Sequence, residues 1–153
     1  MISASDGMFQ KILVVCVGNI CRSPVGERLL AAKLPQLTIT SAGIGALVGH
    51  GADETMSAVA QARGLSLDRH QARQFTAQMG GEADLILVME PGHRREILRA
   101  SPQLGGRVML FDQWNGARGI ADPYRHKADV HEQIFTELTS AADAWAARLA
   151  PKG

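Results

Sequence analysis

Short apolar runs alternate with stretches of helical periodicity along the chain. The apolar runs predict four strands, at residues 11–17, 37–42, 85–89 and 107–111. The first run, KILVVCV, is almost continuously apolar, which is typical of a strand buried on both faces of a sheet. The pattern therefore places one buried strand near the start of the chain and three more at intervals after it.

Helical periodicity follows the predicted strands. Ser23 and Pro24 favour a helix start, and apolar spacing extends this helix over 23–34. Further helices are predicted over 53–63, with Asp53 as the cap, and over 92–100. The last helix is the clearest, because its apolar residues form a single stripe: Val130, Ile134, Leu138, Ala141, Trp145 and Leu149.

This alternation of strands and helices predicts an α/β fold, with a parallel sheet that carries helices on both faces. The length of 153 residues suits one domain, expected at 9–150, after a disordered lead-in at 1–8. In open parallel sheets, ligands bind beyond the carboxyl ends of the strands. The loops after the first and fourth strands are therefore the places to search for chemistry.

Composition narrows the choice of partners. Lys and Arg number 16 against 15 acidic residues, so the charge balance points neither to nucleic acid nor to a membrane surface. No apolar run approaches the ~20 residues that a membrane-spanning helix needs. The first residues lack the features of a signal peptide, which makes the cytoplasm the expected location. The two cysteines are too close together to staple a fold.

The loop after the first strand runs from Cys16 to Arg22. A loop between a buried strand and a helix start directs its backbone N–H groups at one point, which makes an anion site. Gly18 and Asn19 tolerate the left-handed conformation that such a turn needs, and Arg22 offers a planar fork for phosphate oxygens. The same surroundings favour the thiolate form of Cys16, and Ser23 is placed to hydrogen-bond its sulfur. The competing interpretation of Cys16 is a small buried apolar residue.

The loop after the fourth strand contains Asp122, Pro123 and Tyr124. A thiolate that attacks a phosphate ester needs an acid to protonate the leaving oxygen, and Asp122 is a candidate. Pro123 stiffens the backbone that carries it, and Tyr124 is placed to stack on a substrate ring. Taken alone, these residues favour an ordinary turn in which Tyr124 only packs. Their predicted position at the same sheet edge as Cys16 favours the catalytic interpretation.

With both loops considered, the chain resembles the low-molecular-weight protein tyrosine phosphatases, from about residue 9 to residue 149. The matching motifs are VCVGNICRSP at 15–24, Ser41-Ala42-Gly43, HQARQ at 70–74, Met89-Glu90 and Asp122-Pro123-Tyr124. The resemblance implies a four-stranded parallel sheet in the order 2-1-3-4, with helices on both faces as a flavodoxin-like three-layer sandwich. It implies neither a cofactor nor a metal.

The resemblance also assigns roles to residues. It implies Cys16 as nucleophile, Arg22 as phosphate clamp, and Asp122 as general acid and then as base for the hydrolytic water. The phosphate-binding loop would comprise Val17, Gly18, Asn19, Ile20, Cys21 and Ser23. A polar network of Asn19, Ser23, Ser41 and His70 would hold the loop. Cys21 would either form a reversible disulfide with Cys16 or be a buried thiol without a role.

The walls of the cleft point to a particular branch of the family. Leu47 is the expected wall residue where eukaryotic members carry an aromatic side chain, and Tyr124 is followed by Arg125 rather than by a second Tyr. Both features resemble bacterial members that act with capsule or exopolysaccharide export. The implied partner is a phosphotyrosine protein, namely a membrane-bound tyrosine autokinase, and the implied product is inorganic phosphate.

Three alternative functions share part of this pattern. Arsenate reductases have the same fold but need further cysteines downstream, and this chain has none after Cys21. Protein arginine phosphatases carry Thr where Ile20 stands. A phosphopeptide-binding module without turnover would require neither Cys16 nor Asp122.

The remaining polar and aromatic residues carry less information. His50, His93, His126 and His131 are scattered along the chain, and we expect them to be solvated. The sequence leaves open whether Trp114 packs beneath the acid loop or reaches the rim of the cleft.

Overall fold

The computed structural model describes residues 9–150, so the lead-in expected at 1–8 lies outside the described residues. The strands are β1 (Lys11–Cys16), β2 (Thr38–Gly43), β3 (Leu85–Val88) and β4 (Val108–Leu110). The helices are α1 (Arg22–Lys33), α2 (Glu54–Ala62), α3 (Ala77–Glu82), α4 (Pro91–Ala100) and α5 (Ala128–Leu149), and a 3-10 helix spans Pro102–Arg107. None of the described helices is long and apolar enough to cross a membrane.

All four strands are parallel, in the order β2-β1-β3-β4, which confirms the predicted sheet. The central strand β1 is buried along its length beyond Lys11, as its continuous apolar run indicated. At its end, Cys16 pairs in register with Gly43 of β2. The carboxyl ends of β1 and β2 therefore meet at one edge of the sheet, where the phosphate loop begins.

Helices cover both faces of the sheet, as expected. Alternate residues of β1 belong to two separate apolar cores: Ile12 and Val14 pack on the side of α1, α2 and α5, whereas Leu13 and Val15 pack on the side of α3 and α4. The apolar stripe of α5 lies in the first core, where all its members are buried except the half-buried Val130. The sandwich thus fixes β1 and its following loop from both sides.

The sequence pattern missed helix α3. Its sequence, AQMGGE, has two glycines and no apolar stripe, so periodicity gives no signal. Thr76 caps the helix by accepting a hydrogen bond from the Met79 N–H at 3.2 Å. Gly80 packs closely against its neighbours, since a Cβ there would lie 2.7 Å from Leu104 Cδ1. Tertiary contacts, rather than local propensity, explain this helix.

The expectation that all four scattered histidines are solvated is wrong for two of them. His93 is only 6% exposed and His131 only 1% exposed, whereas His50 and His126 are exposed. The reason is that His93 lies on the buried face of α4 and His131 on the buried face of α5. Each buried histidine lies near a carboxylate. His93 lies near Glu90, and His131 lies near Asp53, the cap residue of α2.

Candidate active site

The phosphate-binding loop joins the end of β1 to the start of α1. Cys16 is the last residue of β1, and α1 begins at Arg22 after a cap at Cys21 that makes no side-chain capping hydrogen bond. The first N–H groups of a helix have no partners within the helix, and here no capping side chain satisfies them. The loop and the helix start therefore present backbone donors beside a cysteine side chain.

The backbone of this loop is left-handed at Asn19, whose φ is 58°. Such a conformation in a non-glycine residue needs support, and Gly43 supplies part of it by allowing close approach. A Cβ on Gly43 would lie 2.3 Å from the Val17 carbonyl oxygen and 3.0 Å from the Asn19 nitrogen. This packing gives a physical reason for the glycine of the Ser41-Ala42-Gly43 motif.

The side chain of Asn19 is the centre of a buried hydrogen-bond network. Its Nδ2 donates to Ser23 Oγ at 2.8 Å and to Ser41 Oγ at 3.0 Å, and its Oδ1 accepts from the Arg73 N–H at 2.9 Å. His70 Nε2 lies 2.5 Å from the Asn19 carbonyl oxygen, so it is the donor of that bond. The predicted network of Asn19, Ser23, Ser41 and His70 is thus assembled in the structure.

Two residues that the sequence did not single out complete this network. Ser41 Oγ donates to Glu27 Oε1 at 2.6 Å, and Arg73 Nε donates to the Ser41 carbonyl oxygen at 2.8 Å. Arg73 falls within the HQARQ motif, which was the available signal. Glu27 had no such signal, because only the fold brings α1 beside β2.

The same network orients the hydroxyl group beside the cysteine. Ser23 Oγ lies 2.9 Å from Cys16 Sγ. Because Ser23 Oγ already accepts a hydrogen bond from Asn19, its own proton is free to be donated to the sulfur. The arrangement therefore stabilises negative charge on Cys16.

The guanidinium of Arg22 is held by hydrogen bonds on one of its sides. Arg22 is 1% exposed, and its Nη1 donates to Glu90 Oε2 at 2.5 Å and to the Ile120 carbonyl oxygen at 2.6 Å. Its Nη2 lies 3.6 Å from Asp122 Oδ2, and its Nε has no hydrogen-bond partner among the described residues. Glu90, the second residue of the Met89-Glu90 motif, thus fixes one side of Arg22 and leaves the other side for an anion.

A buried histidine lies next to the ion pair of Arg22 and Glu90. His93 Nε2 lies 3.6 Å from Glu90 Oε2. Burial lowers the pKa of His93, and the charge of Arg22 lowers it further. The histidine is therefore uncharged at neutral pH, which leaves Glu90 free to pair with the guanidinium.

Asp122 lies across the cleft from the loop. Its side chain is 43% exposed, and its Oδ1 accepts a hydrogen bond from the Tyr124 N–H at 3.0 Å. The bond closes a tight turn around the buried Pro123, which fixes the carboxyl group while leaving it accessible. This placement suits a group that exchanges protons with a substrate in the cleft.

A cleft of about 190 Å³ brings most of the predicted site residues together. It is lined by Cys16, Val17, Gly18, Ile20, Cys21, Arg22, Gly45, Leu47, Asp122 and Tyr124. The network residues Asn19, Ser23, Ser41 and His70 are buried outside this lining. Gly45 is the one lining residue that the sequence did not suggest.

The rim of the cleft is apolar. Val17, Leu47 and Tyr124 are partly exposed around it. Trp114 is not among the lining residues; its ring packs edge-on against Trp145 at 5.3 Å between ring centroids. The structure therefore places Trp114 against α5 rather than at the cleft.

The two cysteines of the loop differ in environment. Burial raises the pKa of the Cys21 thiol far above its usual range, and the nearby charges of Asp53 and Asp122 raise it further. Cys21 is therefore a neutral thiol at neutral pH and a poor nucleophile. Cys16, with Ser23 beside its sulfur, is the candidate nucleophile of the cleft.

Comparisons with known proteins agree with this geometry. Residues 11–153 match the family model described as low molecular weight phosphotyrosine protein phosphatase. A relative from Salmonella typhimurium, low molecular weight protein-tyrosine-phosphatase Wzb, is 51% identical over 142 residues, which cover 93% of this chain and 95% of the relative. The crystal structure of the tyrosine phosphatase Wzb from Escherichia coli, in complex with sulphate, superposes with a TM-score of 0.91 at 45% identity and covers 93% of this chain and 99% of that one.

A more distant structure bears on one of the alternative functions. The YwlE arginine phosphatase from Geobacillus stearothermophilus is 31% identical, with a TM-score of 0.86 and coverage of 92% of both chains. The fold is therefore shared between two substrate classes, and the cleft residues must distinguish them.

Proposed function

The chain belongs to the low molecular weight phosphotyrosine protein phosphatase family, whose enzymes are protein tyrosine phosphatases, and on that premise we propose that it hydrolyses phosphotyrosine through a cysteinyl-phosphate on Cys16. The observation that carries this mechanism is the single cleft lined by Cys16, Arg22 and Asp122. It joins a nucleophile, an anion clamp and a proton donor within reach of one phosphate ester.

In the first step, the Cys16 thiolate attacks phosphorus and the bond from phosphorus to the tyrosyl oxygen breaks. Asp122 donates its proton to that oxygen, so the tyrosine leaves as a neutral phenol. The N–H groups of the loop and the free side of Arg22 bind the phosphoryl oxygens, where negative charge is concentrated. Glu90 acts as a positioning residue through its contact with Arg22.

In the second step, water attacks the cysteinyl-phosphate. Asp122, now ionised, takes a proton from that water, and the sulfur leaves as a thiolate. The hydroxyl group of Ser23 donates to Cys16 Sγ and stabilises the departing negative charge. The products are inorganic phosphate and the regenerated enzyme. No protein-bound metal takes part in either step.

Apolar cleft walls favour an aryl substrate over a guanidinium one. Leu47, Tyr124 and Ile20 are among the residues that line the cleft. An aromatic ring gains from contact with such side chains, whereas a phosphoarginine side chain would leave its N–H donors facing apolar groups. Ile20 takes the place that Thr holds in the arginine phosphatases, which supports tyrosine as the substrate residue.

We further propose that the physiological substrate is a tyrosine autokinase of exopolysaccharide or capsule export. The support comes from the resemblance to bacterial members at Leu47 and Arg125. Arg125 lies with its guanidinium 5.3 Å from the centre of the Tyr124 ring, at the rim where a peptide would enter.

Substrate trapping tests this assignment. The Cys16→Ser variant keeps the clamp and the cleft but lacks the thiolate, so it is expected to retain a phosphoprotein from native lysate. A trapped autokinase carrying phosphotyrosine supports the proposal, and competition by free phosphotyrosine shows that the cleft holds it. Recovery of phosphoarginine proteins would contradict tyrosine specificity, and recovery of an unrelated phosphotyrosine protein would contradict the export role alone.

The alternative functions have less support. The chain contains two cysteines, so there is no third cysteine to continue an arsenate reductase relay. The second cysteine, Cys21, is also a neutral thiol and therefore a poor nucleophile for such a relay. A binding module would not need the accessible carboxyl group of Asp122 opposite a cysteine whose sulfur receives a hydroxyl proton.

A further inference from the structure

A second group of side chains lies behind the phosphate loop and takes no part in the proposed mechanism. Cys21, Asp53 and His131 each offer one ligand atom, and these atoms lie within 4.8 Å of one another. We propose that these three residues bind a zinc-like divalent cation, with Cys21 as a thiolate ligand. None of the three side chains takes part in the proposed catalytic steps, although Cys21 also lines the catalytic cleft, and the proposal does not depend on the enzyme's substrate.

Three separate elements bring the ligands together. Cys21 caps α1, Asp53 caps α2, and His131 lies in the first turn of α5. His131 Nε2 is 3.3 Å from Asp53 Oδ2. Two ligand atoms about 2.0–2.2 Å from a tetrahedral zinc ion are separated by about 3.3–3.5 Å, so this pair already has the spacing of a coordinated one. A modest approach of the Cys21 sulfur completes the set.

His131 has the hydrogen-bond pattern of a metal ligand. Its Nδ1 lies 3.0 Å from the Lys127 carbonyl oxygen and therefore donates to it. With its Nδ1 in this bond, the ring leaves Nε2 as its remaining ligand atom, and Nε2 lies 3.3 Å from Asp53 Oδ2. That nitrogen is buried and has no hydrogen-bond partner among residues 9–150. Histidines that bind metals commonly donate their other N–H to a backbone carbonyl in this manner.

Charge balance also favours a cation at this position. Asp53 brings a carboxylate oxygen within 4.8 Å of the buried Cys21 sulfur. On binding, the S–H bond of Cys21 breaks, a sulfur–metal bond forms, and the proton is released to solvent. A divalent cation then neutralises one thiolate and one carboxylate, so the buried cluster carries no net charge.

The site is connected to the catalytic cleft. Cys21 lines the cleft, and the Asp53 side chain is 17% exposed, which gives an ion two directions of approach. The Asp53 N–H donates to the Ile20 carbonyl oxygen at 2.8 Å, so the ligand set is attached to the phosphate loop. A bound ion would hold the Cys21 sulfur away from Cys16 and block a disulfide between them.

Cobalt(II) provides a direct probe, because thiolate ligation gives a near-ultraviolet sulfur-to-metal charge-transfer band. In the Cys16→Ser variant, Cys21 is the only remaining cysteine. We expect this variant to develop the band on titration with Co²⁺ and to lose it when Zn²⁺ is added. A Cys16→Ser/Cys21→Ser variant is expected to show no band.

Ligand variants in the Cys16→Ser background test the other two residues. Asp53→Asn retains a good helix cap. Asp53→Asn and His131→Gln, made as separate variants, are each expected to weaken Co²⁺ binding at least about tenfold. His50→Gln removes an exposed histidine and is expected to bind like its parent. If His131→Gln does not fold, Asp53→Asn decides. Absence of the band in Cys16→Ser, or unchanged affinity in the ligand variants, would overturn the proposal.

Discussion

Ser23 Oγ lies 2.9 Å from Cys16 Sγ while it accepts a hydrogen bond from Asn19 Nδ2 at 2.8 Å. The second bond leaves the Ser23 proton available, and a thiolate on Cys16, which has no proton to donate, would accept it. The left-handed Asn19 is therefore more than a turn residue. Its side chain sets the polarity of the hydroxyl group that supports the nucleophile.

Ser23→Ala is expected to slow the breakdown of the cysteinyl-phosphate. A hydrogen bond to a charged group contributes about 1.5–3 kcal/mol, which corresponds to roughly tenfold to a hundredfold in rate. We expect kcat to fall by that factor and a burst of released phenol to become visible in stopped-flow measurements. The control is Ser140→Ala, at an exposed position of α5. An unchanged kcat in Ser23→Ala would contradict this role.

Asp122→Asn is expected to reveal the general acid through the leaving group. For phenyl phosphate, whose leaving oxygen needs a proton, we expect a loss of about a hundredfold or more. For an aryl phosphate with a strongly acidic phenol, the rate of the first step, measured in single-turnover kinetics, should fall much less. Asp68→Asn, at an exposed position, is the matched control. Equal losses for both substrates would exclude Asp122 as the acid.

Glu90→Ala is expected to release Arg22 from its fixed orientation. Glu90 caps α4 without a side-chain capping bond, so the variant loses the contact with Arg22 but no helix cap. We expect inorganic phosphate to inhibit about tenfold more weakly, since a mobile guanidinium binds oxyanions less well. Glu96→Ala, at an exposed position of the same helix, is the control, and inorganic phosphate should inhibit it as strongly as it inhibits the parent. Parent-like phosphate inhibition in Glu90→Ala would contradict the positioning role.

The buried His93 is expected to make stability depend on pH. Its folded pKa is lowered by burial from 6.5, so the unfolded chain binds more protons as the pH falls below that value. The contribution of the neutral ring is therefore present above the unfolded pKa and is lost as the pH falls through the folded pKa.

The measurement is the melting temperature at a series of pH values. We expect the melting temperature of His93→Gln to fall less steeply than that of the parent as the pH decreases below about 6.5. His126→Gln removes an exposed histidine and should keep the parental slope. A parental slope in His93→Gln would show that another group titrates.

The sequence predicts the parts of this molecule that depend on local pattern. The continuous apolar run before Cys16 predicted β1, and the stripe ending at Leu149 predicted α5, which begins at Ala128. Both signals arise from burial of successive or regularly spaced positions. Helix α3 lacked any such signal, because its sequence AQMGGE has two glycines and no apolar stripe.

The candidate site was predictable where a motif concentrates residues in one loop. Cys16, Arg22 and Asp122 could be named because Cys16 ends the first strand, and Arg22 and Asp122 lie in the segments after the first and fourth strands, at the same sheet edge. The contacts of Glu27 with Ser41 and of Glu90 with Arg22 could not be predicted, because these partners are distant in sequence and meet only through packing of helices on the sheet. Long-range pairs of this kind leave no periodicity to detect.

The central claim is a covalent phosphate on Cys16, and rapid acid quenching tests it most directly. The enzyme is mixed with an aryl phosphate, quenched within one turnover, digested and mapped by mass spectrometry. We expect phosphate on the peptide that contains Cys16, with a larger fraction phosphorylated in Ser23→Ala, where the second step is slower. Turnover without any phosphoenzyme in either protein, or phosphate on a different residue, would contradict the mechanism.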